Sequence, residues 1–90
     1  MFKGQVVVTL KKSILDPQGS AVEKSLHTMD YKVGQVRIGK YMEVDIHEED
    51  EQKAIAVLDE ICHRVLTNPV IEEYEFTLCD EKGQVVGGAK

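Results

Sequence analysis

Tryptophan is absent from the 90 residues, and cysteine and proline occur twice each. Two thiols cannot build a disulfide scaffold, so the chain reads as a cytoplasmic protein with reduced cysteines. No apolar run approaches the ~20 residues of a membrane span, and Met1-Phe2-Lys3-Gly4-Gln5 opens no signal-peptide core. The phosphate-loop lysine motif and the G-x-G-x-x-G, C-x-x-C and H-x-x-x-H spacings are all missing, which removes the common nucleotide, redox and zinc signatures. Positive charge is also scarce. A formal net charge of -5 and a pI of about 5.1 argue against general nucleic-acid binding, which draws on Lys and Arg.

What is present suits one small folded domain. Hydrophobic residues make up 42% and charged residues 30%, too apolar for a disordered chain. A chain this size buries roughly 60–65% of its unfolded surface, leaving little room for a large cofactor. We read residues 1–90 as a single domain with a short frayed tail at about 84–90. Charge is uneven: residues 1–42 hold seven Lys/Arg against three Asp/Glu, and residues 43–90 hold four against thirteen. That imbalance allows a basic and an acidic face, which suits a partner protein better than a free-standing catalyst.

Gln5 to Leu10 alternates as a strand, with Val6, Val8 and Leu10 on one face. Asp16-Pro17-Gln18-Gly19-Ser20 carries two overlapping helix starts. Asp16 can cap with Pro17 in the first turn, or Ser20 can cap with Glu23 in a capping box. The spacing of Val22, Leu26 and Met29 predicts a helix with a narrow apolar stripe, ending near Asp30-Tyr31. Residues 35–46 read as two strands joined by a tight turn near Gly39-Lys40. The acidic run from Glu48 to Glu51 precedes a stronger helix with Ala54, Leu58, Ile61 and Val65 in one row, broadened by Ile55, Cys62 and Leu66 and closed near Asn68-Pro69. A final strand carries Tyr74, Phe76 and Leu78, a turn follows at 80–83, and Gln84-Val85-Val86 allows a brief pairing.

This order predicts an α+β, ferredoxin-like β-α-β-β-α-β fold, two helices on one face of an antiparallel sheet. The opposite face would present Gln5, Val7, Thr9, Arg37, Tyr41, Glu43, Glu73, Glu75 and Thr77. The fold hosts many functions and decides none.

Catalytic chemistry finds little support. Adjacent helical residues Cys62 and His63 point about 100° apart, and Cys79 lies on a separate strand, so neither a metal site nor a Cys–His pair is expected. The acids before the second helix complement its dipole more simply than they hold magnesium. Two segments exceed what folding asks for: residues 12–19, and the basic, aromatic cluster Val36-Arg37-Ile38-Gly39-Lys40-Tyr41. A capped loop with a hairpin accounts for them as well as a binding surface does.

These same segments carry a resemblance. VTLKKSILDPQGSAVEKSLH followed by VGQVRIGKYMEVDI resembles the PurS family, the small subunits of phosphoribosylformylglycinamidine synthase, from Val6 to Leu78. One departure is Asp30, where the family commonly has Gly after its first helix. The resemblance implies a cytoplasmic, non-catalytic subunit of an ATP-dependent amidotransferase in purine biosynthesis, with no cofactor of its own. ATP, magnesium and glutamine would be used by a large synthase subunit and a glutaminase subunit. This chain would form a homodimer or higher homo-oligomer and bridge the two, supporting ammonia transfer. It implies no catalytic residues. Asp16, Pro17, Gln18, Gly19, Arg37, Gly39, Lys40 and Tyr41, the matched motif positions, become candidates for subunit contact. An alternative stays open: a small-ligand regulatory domain of the same fold, in which a glycine-bearing loop at a helix start binds amino acids.

Overall fold

A computed structural model describes residues 1–89. Strand β1 (Phe2–Leu10) lies at the centre of a sheet, paired antiparallel with β2 (Gly39–Ile46) on one side and β3 (Glu72–Cys79) on the other. Strand β4 (Val85–Ala89) closes the far edge beside β3, giving the order β2-β1-β3-β4. Helix α1 (Pro17–Thr28) separates β1 from β2, and α2 (Glu51–Ile61) separates β2 from β3. The ferredoxin-like α+β class therefore holds, with the element order β-α-β-α-β-β in place of the expected β-α-β-β-α-β.

Residues 35–38 explain the difference. They form no strand, because their backbone donors go to side chains of the preceding segment: Val36 N–H to Glu23 Oε1 at 3.3 Å and Ile38 N–H to Asp16 Oδ2 at 2.7 Å. A backbone donor satisfied this way has no need of a ladder partner. Gly39 begins β2 and makes no turn; among glycines only Gly83 has positive φ. Its lack of a side chain serves close packing, since a Cβ there would stand 2.6 Å from the Val8 carbonyl oxygen. The fourth strand comes from the C-terminus: residues 85–89 pair with β3 where the pattern predicted fraying, and Lys90 lies outside the described residues.

The core forms where α2 covers one face of the sheet. Val6 and Val8 of β1, Ile46 of β2, Phe76 and Leu78 of β3, and Ala54, Leu58 and Cys62 from the helical side are buried together. Asp50 caps α2 by accepting from the Gln52 and Lys53 N–H groups. Beyond Ile61 the helix widens into one π-helical turn, Cys62–Leu66, ended by Thr67, whose N–H and hydroxyl both donate to the Cys62 carbonyl. This wider turn carries Leu66 on in line with Leu58 and Cys62 but turns Val65 outward, 75% exposed, away from the expected core row.

Helix α1 does not lie on the sheet. Its one buried residue is Gly19, while Val22 and Met29 are exposed and Leu26 is half-buried. The radius of gyration is 16.2 Å, against roughly 12 Å for a compact chain of this length. A nine-residue strand spans about 30 Å and a 12-residue helix about 18 Å; end to end they account for the 51 Å long axis. Residues 17–35 thus form an arm, in which His27 Nε2–H donates to the Val33 carbonyl at 2.8 Å.

The arm turns at Asp30, among the described residues the one non-glycine residue with positive φ (70°). Tyr31 N–H donates to Leu26 O and Asp30 N–H to His27 O, a Schellman closure of α1 with aspartate in the left-handed position. Aspartate tolerates that conformation better than most residues but less well than glycine. Asp30→Gly is expected to stabilise the fold by up to about 1 kcal/mol, read as a higher urea midpoint at unchanged slope. A lower midpoint would show that the Asp30 side chain is itself used in the turn.

Candidate functional site

The two motif segments meet at the root of the arm. Asp16, 4% exposed, caps α1 by accepting from the Gly19 N–H with Oδ1 at 2.9 Å, while Oδ2 accepts from the Ile38 N–H. Those two bonds, Ile38 first, hold its carboxyl below the ordinary 3.8, helped by the nearby Arg37 guanidinium and opposed by burial. This tertiary bond selects between the two possible helix starts. Pro17 takes the first turn, and Glu23, the alternative capping-box acid, reaches across to Val36 instead.

Arg37 completes the clamp from the other side. Its guanidinium donates to the carbonyls of Ile14 (3.2 Å), Leu10 (3.3 Å) and Lys11 (3.0 Å), tying the end of β1 to the segment entering β2. Gly19 lets the two segments touch: a Cβ there would stand 2.1 Å from the Val36 carbonyl oxygen. Asp16, Gly19 and Arg37 are thus held within the chain, and Gly39 sits against β1. Pro17 and Gln18 are exposed on the first turn of α1, and Lys40 is exposed while pairing with Glu72 at 3.3 Å. Glu72 also accepts from the Asn68 N–H, the bond that chiefly lowers its carboxyl. A cavity of about 380 Å³ lies here, bordered by Val8, Leu10, Pro17, Ile38, Lys40 and Glu72.

Tyr41 is elsewhere, 57% exposed on the sheet face away from α2. The register sets Tyr41 and Glu75 on either side of Val7, Glu43 and Thr77 on either side of Gln5, and Glu73 beside Thr9. The expected outer face is therefore present, except that Arg37 is in the clamp. Tyr41 O–H donates to Glu43 Oε2 at 3.0 Å; loss of surrounding water and then that bond raise its phenol.

The remaining titratable groups are scattered. His63 and His47 are exposed. Cys62 is buried, and burial pushes its thiol up to about 11, away from nucleophilic chemistry at neutral pH. Tyr74 donates to Asp59 at 2.7 Å, which pushes its phenol up to about 12. Among the described residues no three His, Cys, Asp or Glu side chains group to hold a metal ion, and no helix is long and apolar enough to cross a membrane.

A clamped arm with an uncovered apolar stripe, beside a sheet with one open face, defines a small α+β protein organised around surfaces for other chains. A family model described as PurS, phosphoribosylformylglycinamidine (FGAM) synthase, matches residues 3–80. The PurS subunit of that synthase from Bacillus subtilis (strain 168) is 51% identical over 77 residues, 84% of this chain and 90% of that one. The counterpart from Synechocystis is 44% identical over 82 residues, 90% of this chain and 82% of that one. Among solved structures, B. subtilis PurS matches with a TM-score of 0.78 at 46% identity, covering 89% of this chain and all of the other. A chain in the structure of PurLQS from Thermotoga maritima matches with a TM-score of 0.77 at 32% identity, covering 83% of this chain and 93% of the other. The chain belongs to the PurS family of phosphoribosylformylglycinamidine synthase subunits.

Proposed function

We infer that this chain is the non-catalytic small subunit of a cytoplasmic phosphoribosylformylglycinamidine synthase, joining an ATP-dependent synthase subunit to a glutaminase subunit and supporting ammonia transfer between them. ATP, magnesium and glutamine are handled by those partners. The observation that carries the reading is the arm. A 90-residue chain with little core to spare commits residues 17–35 to a projection whose Val22 and Met29 touch no core of its own. An apolar stripe held away from its own core gains its burial from another chain. A second copy fits it, because a two-fold exchange of arms completes both copies at once. Of the motif positions, Pro17, Gln18, Gly39, Lys40 and Tyr41 reach solvent and are the subunit-contact residues in this reading, while Asp16, Gly19 and Arg37 set their positions.

The test is reconstitution with the synthase and glutaminase subunits, with and without glutamine and ATP. A three-subunit assembly is expected to co-purify. Glutamine-dependent formation of formylglycinamidine ribonucleotide is expected to vanish when this chain is omitted and to return with added ammonium salt. Full glutamine-dependent activity from the two large subunits alone would defeat the reading.

A further inference from the structure

The open sheet face is built for more than solvent. Among the described residues it carries Glu43, Asp45, Glu73 and Glu75 against one cation, Lys3, which pairs with Glu43 at 3.7 Å. Glu73 and Glu75 stand two residues apart on the same side of β3, and neither pairs with a cation among the described residues. Glutamate is a poor strand former, and like charges on one strand face repel, so folding alone does not favour this pair. Between the carboxylates the face is not hydrophilic: Val7 is half-buried at its centre, with exposed Tyr41 beside it. Two adjoining depressions, of about 560 and 460 Å³, share Val7 and Glu75 as a common wall; Glu73 lines one and Tyr41 the other.

We propose that this face docks an arginine-bearing surface of a partner protein, with guanidinium groups seated on Glu73 and Glu75 and stacked against Tyr41. Arginine fits better than lysine, because its planar fork matches carboxylates bidentately and also stacks on an aromatic ring. A second copy does not fit here. Among the described residues, two-fold stacking of this face on itself would set four carboxylates and one cation against the same set, and like-charge juxtaposition across an interface costs several kcal/mol. The two surfaces thus divide the work: the apolar arm takes another copy, and the acidic sheet face takes a different protein. This assignment rests on the bridging reading above.

The measurement is affinity for the synthase subunit and for the glutaminase subunit, taken separately at about 50 and 300 mM salt, where screening of exposed charges differs strongly. The variants are Glu73→Gln/Glu75→Gln, Glu73→Lys/Glu75→Lys and Tyr41→Ala. For one of the two partners the wild-type chain is expected to weaken with salt. The glutamine pair should bind it at least tenfold more weakly at low salt and lose most of the salt dependence, and the lysine pair should not bind. Tyr41→Ala should weaken binding while leaving the salt dependence in place. Sedimentation should show all variants with the wild-type oligomeric mass, and circular dichroism with the wild-type fold. The near-isosteric glutamine pair decides the matter should the lysine pair misfold. Wild-type-like affinity of a folded glutamine pair for both partners overturns the proposal and leaves the bridging reading intact, whereas failure of the wild-type chain to bind either partner overturns both. A fall in oligomeric mass on the glutamine substitutions would assign this face to self-association and overturn it as well.

Discussion

Gly19→Ala is expected to destabilise the protein by about 2–3 kcal/mol, although alanine is the better helix former. In an exposed helical position that exchange would stabilise by about 1 kcal/mol. Here the added methyl group would stand 2.1 Å from the Val36 carbonyl oxygen and 3.0 Å from Asp16 Oδ2. The first is backbone, held in place because Ile38 N–H is fixed to Asp16 and Arg37 to the end of β1. The chain can admit the methyl only by moving the root of the arm, and overpacking of this kind costs about 1–3 kcal/mol or more. For a chain of this size that corresponds to a melting temperature lower by roughly 10–20 °C.

The same substitution separates two kinds of damage. Amide hydrogen exchange in α1 should speed up far more than exchange in β1 and β3, because the arm depends on the clamp and the sheet core does not. Gly34→Ala is the control: nothing lies within 4 Å of a Cβ there, and that variant should match or slightly exceed wild-type stability. A Gly19→Ala protein as stable as Gly34→Ala would mean that the arm root yields freely.

The sheet was legible in the sequence because burial on one face imposes strict alternation. Val6, Val8, Phe76 and Leu78 all point where their spacing said, and so does the outer face from Gln5 to Thr77. Residues 35–38 alternate equally well yet form no strand, since alternation cannot show that Glu23 and Asp16 have taken their backbone donors. Glu23 had a signal, three residues after Ser20, but local spacing reads as a local cap. The position of α1 was hidden for a different reason. The stripe of Val22, Leu26 and Met29 states only that the helix wants an apolar surface, and the pattern is the same whether that surface belongs to its own sheet or to another chain. Val65 was misplaced because a single π-helical turn shifts the period without marking the sequence. The contact motifs are partly legible: LDPQG and VRIGKY exceed what folding asks of a loop and a hairpin, but about half of that excess is the clamp between them.

Truncating the clamp's cation should have a comparable effect by a different route. Arg37→Ala removes the donors to three carbonyls, those of Leu10, Lys11 and Ile14, at a half-buried site. Hydrogen bonds that involve a charged group contribute about 1.5–3 kcal/mol, and the Lys11 carbonyl keeps a second donor, the Ile14 N–H at 2.9 Å. Since water can reach part of this site, the expected loss is about 2–3 kcal/mol for the set. Arg37→Lys should recover less than half of it, because one ammonium cannot span three carbonyls as a planar guanidinium does. Acid attacks the other half of the clamp. Asp16 has its folded-state value lowered beneath 3.8, so its contribution is fully present above that ordinary value and is lost as pH falls through the lower folded value. Asp16→Asn keeps the shape but sets an amide N–H₂ against one of the two backbone donors. Urea midpoints across pH 2–7 should show this variant weaker than wild type at neutral pH, the gap closing below about pH 3.8 as the wild-type carboxylate protonates. A gap that stays constant to pH 2 would mean that the Asp16 charge contributes nothing to holding the arm.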